Sequence, residues 1–394
     1  MQMMDELTAN LNAKTVSERL DALRAVRKQI DEGLFVLPEP DGNVNNHIHT
    51  IYSFSPYSPT KAVFTARMAK LSAAGIIDHE SVGGVLEFRK AGRIMGLPTT
   101  AGFEMRVDFS GTPLGGRRIN NPDQESTAYI TIQGLADTRL EAAEIFLKPI
   151  REAREERNRR MCARLSEVSG IGLDYDKDVA PLSERSHGGS VTERHLLCAL
   201  SMKLIGQYGK GQALRDRLAS YPGIGKDAAA KLNDPDDVLF LFDLIGALKA
   251  GFVEWFFIPA GRIECPDVRD VIRFAAESDS IFAYAYLGDV GESVTGDKKA
   301  QSFEDDYIEE LFEVLAGLGI RAVAYMPARN TREQLARVRS LCDRYRMLQI
   351  SGEDINSPRQ SFISEASKDP YYANLKESTW FLIEHEKKIK EKQK

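Results

Sequence analysis

The spacing of apolar residues changes period several times along this chain. Residues 4–33, MDELTANLNAKTVSERLDALRAVRKQIDEG, place Leu20, Leu23, Val26 and Ile30 at helical spacing and stop at Gly33, which predicts an N-terminal helical arm. LPEPDGN then breaks the pattern. Beyond it, short apolar runs alternate with helix-length stretches. NVNNHIHT is followed by SPTKAVFTARMAKLSAAG, and GIIDHES by VGGVLEFRKAGRIMG, while LPTTAGFEMRVDF and AYITIQGL read as further strands. Strands alternating with helices predict an α/β architecture built on a parallel sheet.

The pattern changes over residues 138–260. DTRLEAAEIFLKPIREAREERNRRMCARLSEVSG is a long, charge-laced helical pattern, and helical text continues through KGQALRDRLASYPG and DAAAKLNDPDDVLFLFDLIGALKAG. Alternation resumes near residue 266, with SIFAYAYLG, RAVAYMPA and MLQISGED as strands between amphipathic helices. The division this predicts is a helical arm (1–40), a first barrel part (41–136), a helical insertion (137–265), a second barrel part (266–365) and a C-terminal helix or tail (366–394). The closing EHEKKIKEKQK reads as a charged, frayed helical end.

Composition narrows the function classes. Lys and Arg number 52 against 58 Asp and Glu, a net charge of −6, and this lacks the basic face that bulk nucleic-acid binding needs. Four cysteines, Cys162, Cys198, Cys265 and Cys342, show no CxxC spacing, so neither a zinc ribbon nor a disulfide framework is expected, and a reducing cytoplasm is the expected location. No apolar run reaches membrane-spanning length, since Asp243, Lys249 and Glu254 interrupt the longest. There is no GxxxxGK[ST] phosphate loop and no GxSxG serine elbow.

In parallel α/β folds the chemistry gathers at the carboxyl ends of the strands. The polar residues just past each apolar run are His47 and His49, Asp78 and His79, Glu104, Asp289, Arg329, and Glu353 with Asp354. Residues two apart on a strand share a face, so His47 and His49 point together. Only six histidines occur in 394 residues, and imidazoles mixed with carboxylates at one barrel mouth suit Zn²⁺, Mn²⁺ or Fe²⁺.

These segments resemble the polymerase and histidinol phosphatase (PHP) superfamily of metal-dependent phosphoesterases. NNHIHTIYS is similar to its HxHxxxS motif, IIDHESVGG to the strand ending in Asp-His, and AGFEMRVDF to the segment carrying a bridging carboxylate, here Glu104. GGSVTERHLLCAL is similar to the segment that supplies His195 as a ligand, and ISGEDINSPRQ to the closing Asp-x-His. The resemblance spans roughly residues 43–365. It implies a distorted TIM-like (β/α)7 PHP barrel with an inserted helical domain and an N-terminal helical arm. It also implies metal ligation by His47, His49, Asp78, His79, Glu104, His195 and Asp354. Four family positions depart from the pattern: Phe54 replaces an aspartate, while Thr131, Tyr286 and Asn356 replace histidines. By the family pattern one metal keeps its full set, His47, His49, Glu104 and Asp354, and two further positions are weakened. Tyr286 and Asp289 are candidate replacement ligands.

The expected activity is hydrolysis of a small phosphorylated molecule by metal-activated water, using at least one and up to three divalent ions. Arg329 and Arg359 follow strands into the expected mouth and are the leading catalytic cations, with Arg106, Lys298 and Lys299 behind them. No nucleic-acid or membrane partner is expected, and the sequence does not fix an oligomeric state. The alternative is a degenerate barrel that binds a metal or phosphorylated ligand without turnover.

Overall fold

The computed structural model of the protein describes residues 8–224, 232–289 and 304–392. Lys298 and Lys299 fall outside these. Seven strands form one sheet in sequential order: β1 (Val44–Ile48), β2 (Ala73–His79), β3 (Thr99–Asp108), β4 (Thr127–Gln133), β5 (Ile281–Ala285), β6 (Ala322–Tyr325) and β7 (Leu348–Ser351). The barrel closes just beyond β7. The His49 N–H donates to the Ile355 carbonyl at 2.9 Å, and the Ile355 N–H donates to the His47 carbonyl at 3.0 Å.

The sheet is not wholly parallel: β4 runs antiparallel to both β3 and β5. The expectation of a parallel sheet is corrected here for a simple reason. Residues 109–126 contain no helix, and without a crossover the chain can only return antiparallel. Register then places Glu104 opposite His79 on one side and Thr131 on the other. Glu104 sits within β3, not at its end.

Helices α2 (Pro59–Met68) and α3 (Val85–Met95) pack outside the first strands, and α8 (Val268–Glu277), α9 (Ile308–Gly317) and α10 (Arg332–Tyr345) outside the later ones. The core between sheet and helices includes Ile76, Phe103, Met105, Phe312, Val323 and Val338. The N-terminal helix α1 (Val16–Asp31) is shorter than the 4–33 expectation, because Thr15 and Glu18 form a capping box that starts it. It is docked rather than projecting. Leu20, Leu23 and Val26 join the barrel's core, each burial stabilising by about 1.5–3 kcal/mol, and Arg19 forms a two-bond pair with buried Glu87 of α3 at 2.9 and 2.6 Å.

Between β4 and β5 lie α4 (Leu140–Ser169), α5 (Glu193–Tyr208), α6 (Gln212–Ala219) and α7 (Phe240–Phe256), with their own core of Met161, Leu165, Leu196, Leu200, Leu244 and Phe252. Because β4 is reversed, α4 starts at the end of the barrel opposite the strand-end histidines. Its 30 residues, about 45 Å at the usual helical rise, carry it back up to the mouth.

At the C-terminus, where a helix or tail with a frayed helical end was expected, helix α11 (Ala373–Glu391) is docked on the barrel. Its Leu382 packs with Ala283, Ala322, Ala324 and Ile350 of the barrel strands. Thr379 accepts from Asn46 at 2.8 Å, and buried Glu386 accepts from the Thr100 hydroxyl at 2.6 Å and the Ala101 N–H at 2.9 Å. The charged residues lie on its outer side, while one polar-apolar stripe caps the amino-terminal end of the barrel. Among the described residues no helix is long and apolar enough to cross a membrane.

Candidate metal centre

β1 delivers His47, and His49 lies one residue past its end, with Ile48 between them turned into the core. Nε2 of His47 and Nε2 of His49 are 3.2 Å apart. Glu104 Oε2 lies 3.5 Å from the first and 3.6 Å from the second, and Asp354 Oδ1 lies 3.3 Å from His49 Nε2. His79, stacked on His49 with ring centres 4.7 Å apart, brings Nδ1 to 3.2 Å from the same Glu104 oxygen.

Ligand atoms about 2.0–2.1 Å from a tetrahedrally held Zn²⁺ lie roughly 3.3–3.4 Å from one another, and the three distances among His47, His49 and Glu104 bracket that edge; Asp354 joins this group through His49 alone, at 3.3 Å. His79 Nδ1 is buried with no hydrogen-bond partner, which leaves a further donor atom at the same place. Three imidazoles with two carboxylates fit a borderline divalent cation such as Zn²⁺, Mn²⁺ or Fe²⁺.

Electrostatics agree. Burial pushes the Glu104 carboxyl up, but His79, His47 and His49 together outweigh it and hold it down at about 2. Burial drives His79 down to about 3, so its imidazole is neutral, the ligating form. His49 is opposed by burial yet raised by Asp354 and Glu104, and Asp354 is in turn held low against burial by His49.

Asp78 stands behind this cluster, not in it. Its carboxylate accepts from the Thr50 N–H, the Thr50 hydroxyl and the Ser53 hydroxyl, each at 2.6 Å. Since Ser53 donates to Asp78, its oxygen accepts from His49 Nδ1 at 3.2 Å, which leaves His49 Nε2 as a bare lone pair aimed at the cluster. Asp78 therefore orients a ligand, as carboxylates behind metal-bound histidines do. The expectation was a ligand; the structure places its carboxylate behind His49.

His195, expected as a ligand, lies in a helix cap outside the clustered ligand atoms. It is residue N3 of the α5 capping box, and its Nδ1 accepts from the Thr192 N–H at 2.9 Å. Burial holds it neutral, near 3, so the ring proton sits on Nε2, the reverse of a ligand's arrangement. Phe54 lies edge-on against the ring at 5.0 Å.

The two arginines expected to hold phosphate are engaged elsewhere. Arg359 is exposed and forks onto Asp243 of α7 at 3.1 and 2.6 Å and onto Asp237. Arg329 Nε donates to the Leu287 carbonyl at 3.0 Å, tying the loops after β5 and β6 together. Following a strand fixes where the backbone goes, not where a long side chain points. Arg106 shares a face of β3 with Glu104 but is buried against Glu264 and Glu193. Among the departures, Asn356 donates to both Asp354 oxygens at 2.9 and 2.8 Å, and Thr131 accepts from Gln133. The Tyr286 hydroxyl donates to Asp305 at 2.6 Å, away from the cluster, and the Asp289 N–H donates to the same carboxylate at 3.0 Å.

Two carboxyls near these loops are titration-sensitive. Burial raises Glu304, which accepts from Tyr284 and from the Leu287 and Gly288 N–H groups, to about 7 from an ordinary 4.5. Burial raises Glu353 likewise to about 7. The folded chain holds these protons more tightly than the unfolded one, so their contribution to stability is complete below about pH 4.5 and is lost as pH rises through about 7. Denaturant titrations from pH 5 to pH 8 are expected to show wild type losing on the order of 2 kcal/mol relative to Glu304→Gln. Parallel pH profiles for the two proteins would contradict this.

Sequence reasoning missed a buried chain of charges beside the cluster. Arg154 of α4 pairs with Glu80 and, at 2.7 Å, with Glu193; Arg157 pairs with Glu193 and Glu264, both at 2.7 Å; Glu264 reaches Arg106. Glu80 directly follows His79 on the chain, and Glu193 lies two residues before His195. One signal was available: Arg154 and Arg157 continue the buried stripe of Leu147, Ile150, Met161 and Leu165 on α4. Arg194 and Lys249 were missed as well. With His79, Asn356, Val253 and Phe257 they border a cavity of about 80 Å³. Larger hollows of about 410 and 490 Å³ lie at the far end of the barrel and beside α1, away from the ligand atoms.

No protein-family model and no curated protein matches this sequence. Solved structures do match. A candidate metal-dependent phosphoesterase from Bifidobacterium adolescentis superposes with a TM-score of 0.53 at 19% identity, over 82% of this chain and 91% of that one. An amidohydrolase from Chromobacterium violaceum, solved with sulfate and no metal, gives 0.53 at 19%, over 81% and 89%. The chain shares the fold of these two proteins. The inserted helices and the single reversed strand belong to a distorted TIM-like barrel.

Proposed function

We propose that this protein is a metal-dependent hydrolase that cleaves a small phosphorylated molecule with water. The observation that carries the reading is the 3.2–3.6 Å spacing among His47, His49 and Glu104, with Asp354 3.3 Å from His49 Nε2. The fold shared with a candidate phosphoesterase supports it, as does the sulfate, a tetrahedral dianion, bound by the amidohydrolase of the same fold.

His47, His49, Glu104 and Asp354 would hold the cation, with His79 beside them as a fifth donor. When bound, a divalent cation supplies Lewis acidity toward a phosphoryl oxygen and makes water acidic enough to react near neutral pH. The chain's own residues set the stage. The Asp78–Ser53 pair fixes the His49 tautomer, Asn356 orients both Asp354 oxygens, and burial keeps His79 neutral and bulk water away from the imidazoles.

One observation favours binding without turnover: Phe54 and the reversed tautomer of His195 remove a further ligand position. A panel of phosphomonoesters, phosphodiesters and amides, assayed with Zn²⁺, Mn²⁺ and Fe²⁺ added singly, separates the readings. The proposal expects metal-dependent release of phosphate that a chelator abolishes. Phosphoester cleavage by no metal-loaded form, with metal bound stoichiometrically, would establish the binding role instead.

A further inference from the structure

We infer that the hollow between α3 and α11, at the end of the barrel away from the histidines, is a second ligand site that takes a small aromatic carboxylate. It holds about 410 Å³, within the roughly 300–1,000 Å³ of sites that enclose a small molecule. Two helix faces make its walls. Arg89, Gly92, Arg93 and Gly96 share one face of α3 and its C-cap, and Trp380, Ile383, Lys387 and Lys390 share one face of α11, both sets at helical spacing. Between the walls lie buried Leu97, Ala136 and Ile383, an apolar floor. Arg89 ties the walls together: its Nη2 reaches Glu386 of α11 at 2.8 Å, and its Nε reaches Asp137 at 2.6 Å. The width of the hollow is thereby set before any ligand arrives, which lowers the ordering cost of binding.

The ligand class follows from the rim. Trp380 borders the hollow and is 43% exposed, a large aromatic surface beside an apolar floor. A planar ring laid against it removes apolar area from both partners and gains the offset-stacked geometry. Charge names the other end of the ligand. Lys387 has Glu384 at 2.6 Å, and Lys390 has Asp137 at 3.6 Å, the same carboxylate that Arg89 uses. Arg93 forms no ion pair with any described residue. Arg89, Arg93, Lys387 and Lys390 thus face the three carboxylates Asp137, Glu384 and Glu386, which leaves one positive charge over. One surplus charge suits a monoanion. A carboxylate is one, and it matches the planar fork of a guanidinium. A phosphate monoester, close to a dianion at neutral pH, brings more charge than the rim balances. The strand-end histidines take no part in this site, so it stands independently of the hydrolase reading.

The test uses the full chain, with its tryptophans labelled on the indole nitrogen for NMR, and phenylacetate as the probe. The chain has two tryptophans, Trp380 at the hollow and Trp255 on α7 of the helical unit, so Trp255→Phe assigns the two indole signals. Phenylacetate is expected to shift the Trp380 signal saturably and to leave the Trp255 signal in place. Phenethyl alcohol, which lacks the charge, and cyclohexylacetate, which lacks the aromatic ring, are each expected to bind tenfold or more weakly. Arg93→Gln should weaken phenylacetate binding tenfold or more with the thermal midpoint unchanged, and Arg93→Lys should lose less. A Trp380 signal that does not move up to tens of millimolar phenylacetate overturns the inference, as does an Arg93→Gln protein that binds within twofold of wild type. Phenethyl alcohol binding as tightly as phenylacetate, or phenyl phosphate binding more tightly, overturns the carboxylate assignment.

Discussion

Replacing His49 by Ala is expected to abolish stoichiometric metal binding and to lower turnover on the order of a thousandfold or more. His49 Nε2 is within 3.6 Å of three other ligand atoms, one each from His47, Glu104 and Asp354, so its loss opens the set at its centre. Ser53→Ala is the graded comparison. It keeps every ligand but removes the hydroxyl that fixes the His49 tautomer and links it to Asp78. Changes of that kind typically cost about 10–100-fold in metal affinity or activity. Elemental analysis with metal-titrated assays of both variants checks the pair. Equal losses in the two, or a His49→Ala protein that retains metal, would contradict the arrangement.

The second large effect concerns stability. Glu264→Ala leaves Arg106 and Arg157 buried and short of a partner, since both guanidinium groups pair with this one carboxylate. Removing one partner of a buried ion pair is strongly destabilising, by about 3–5 kcal/mol. Denaturant unfolding should show that loss, with Glu264→Gln losing less because its amide oxygen still accepts. The exposed pair at Arg359 provides the contrast: Arg359→Ala is expected to leave the midpoint almost unmoved, as exposed ion pairs contribute little. A Glu264→Ala protein as stable as wild type would show that the charge chain does not hold the helical unit to the barrel.

The strands and the histidine pair were legible because each rests on a local rule. Alternating apolar runs mark β1, β2 and β5 to β7, and the period of two brings His47 and His49 to one side. The reversal of β4 was legible too, in the Gly- and Pro-rich SGTPLGGRRINNPDQES that separates two strand-like runs without a helix, but the alternation around it masked the break. What the sequence hid depends on side-chain direction and on contacts between distant segments. Thr192 and His195 read equally well as a ligand segment and as the start of a helix; only the hydrogen bond to Nδ1 decides. Arg329 and Arg359 follow strands as catalytic cations would, yet their partners come from Leu287 and from Asp237 and Asp243, far along the chain. The lysine-rich ending of α11 concealed Glu386, whose burial depends on Thr100 and Arg89.

The central claim is that His47, His49, Glu104 and Asp354 hold a divalent cation. Metal content per chain, measured by elemental analysis on protein purified without chelator or added metal, tests it most directly. The account predicts about one equivalent of zinc, manganese or iron. Protein that carries none, and takes up none of the three when dialysed against each, would contradict it.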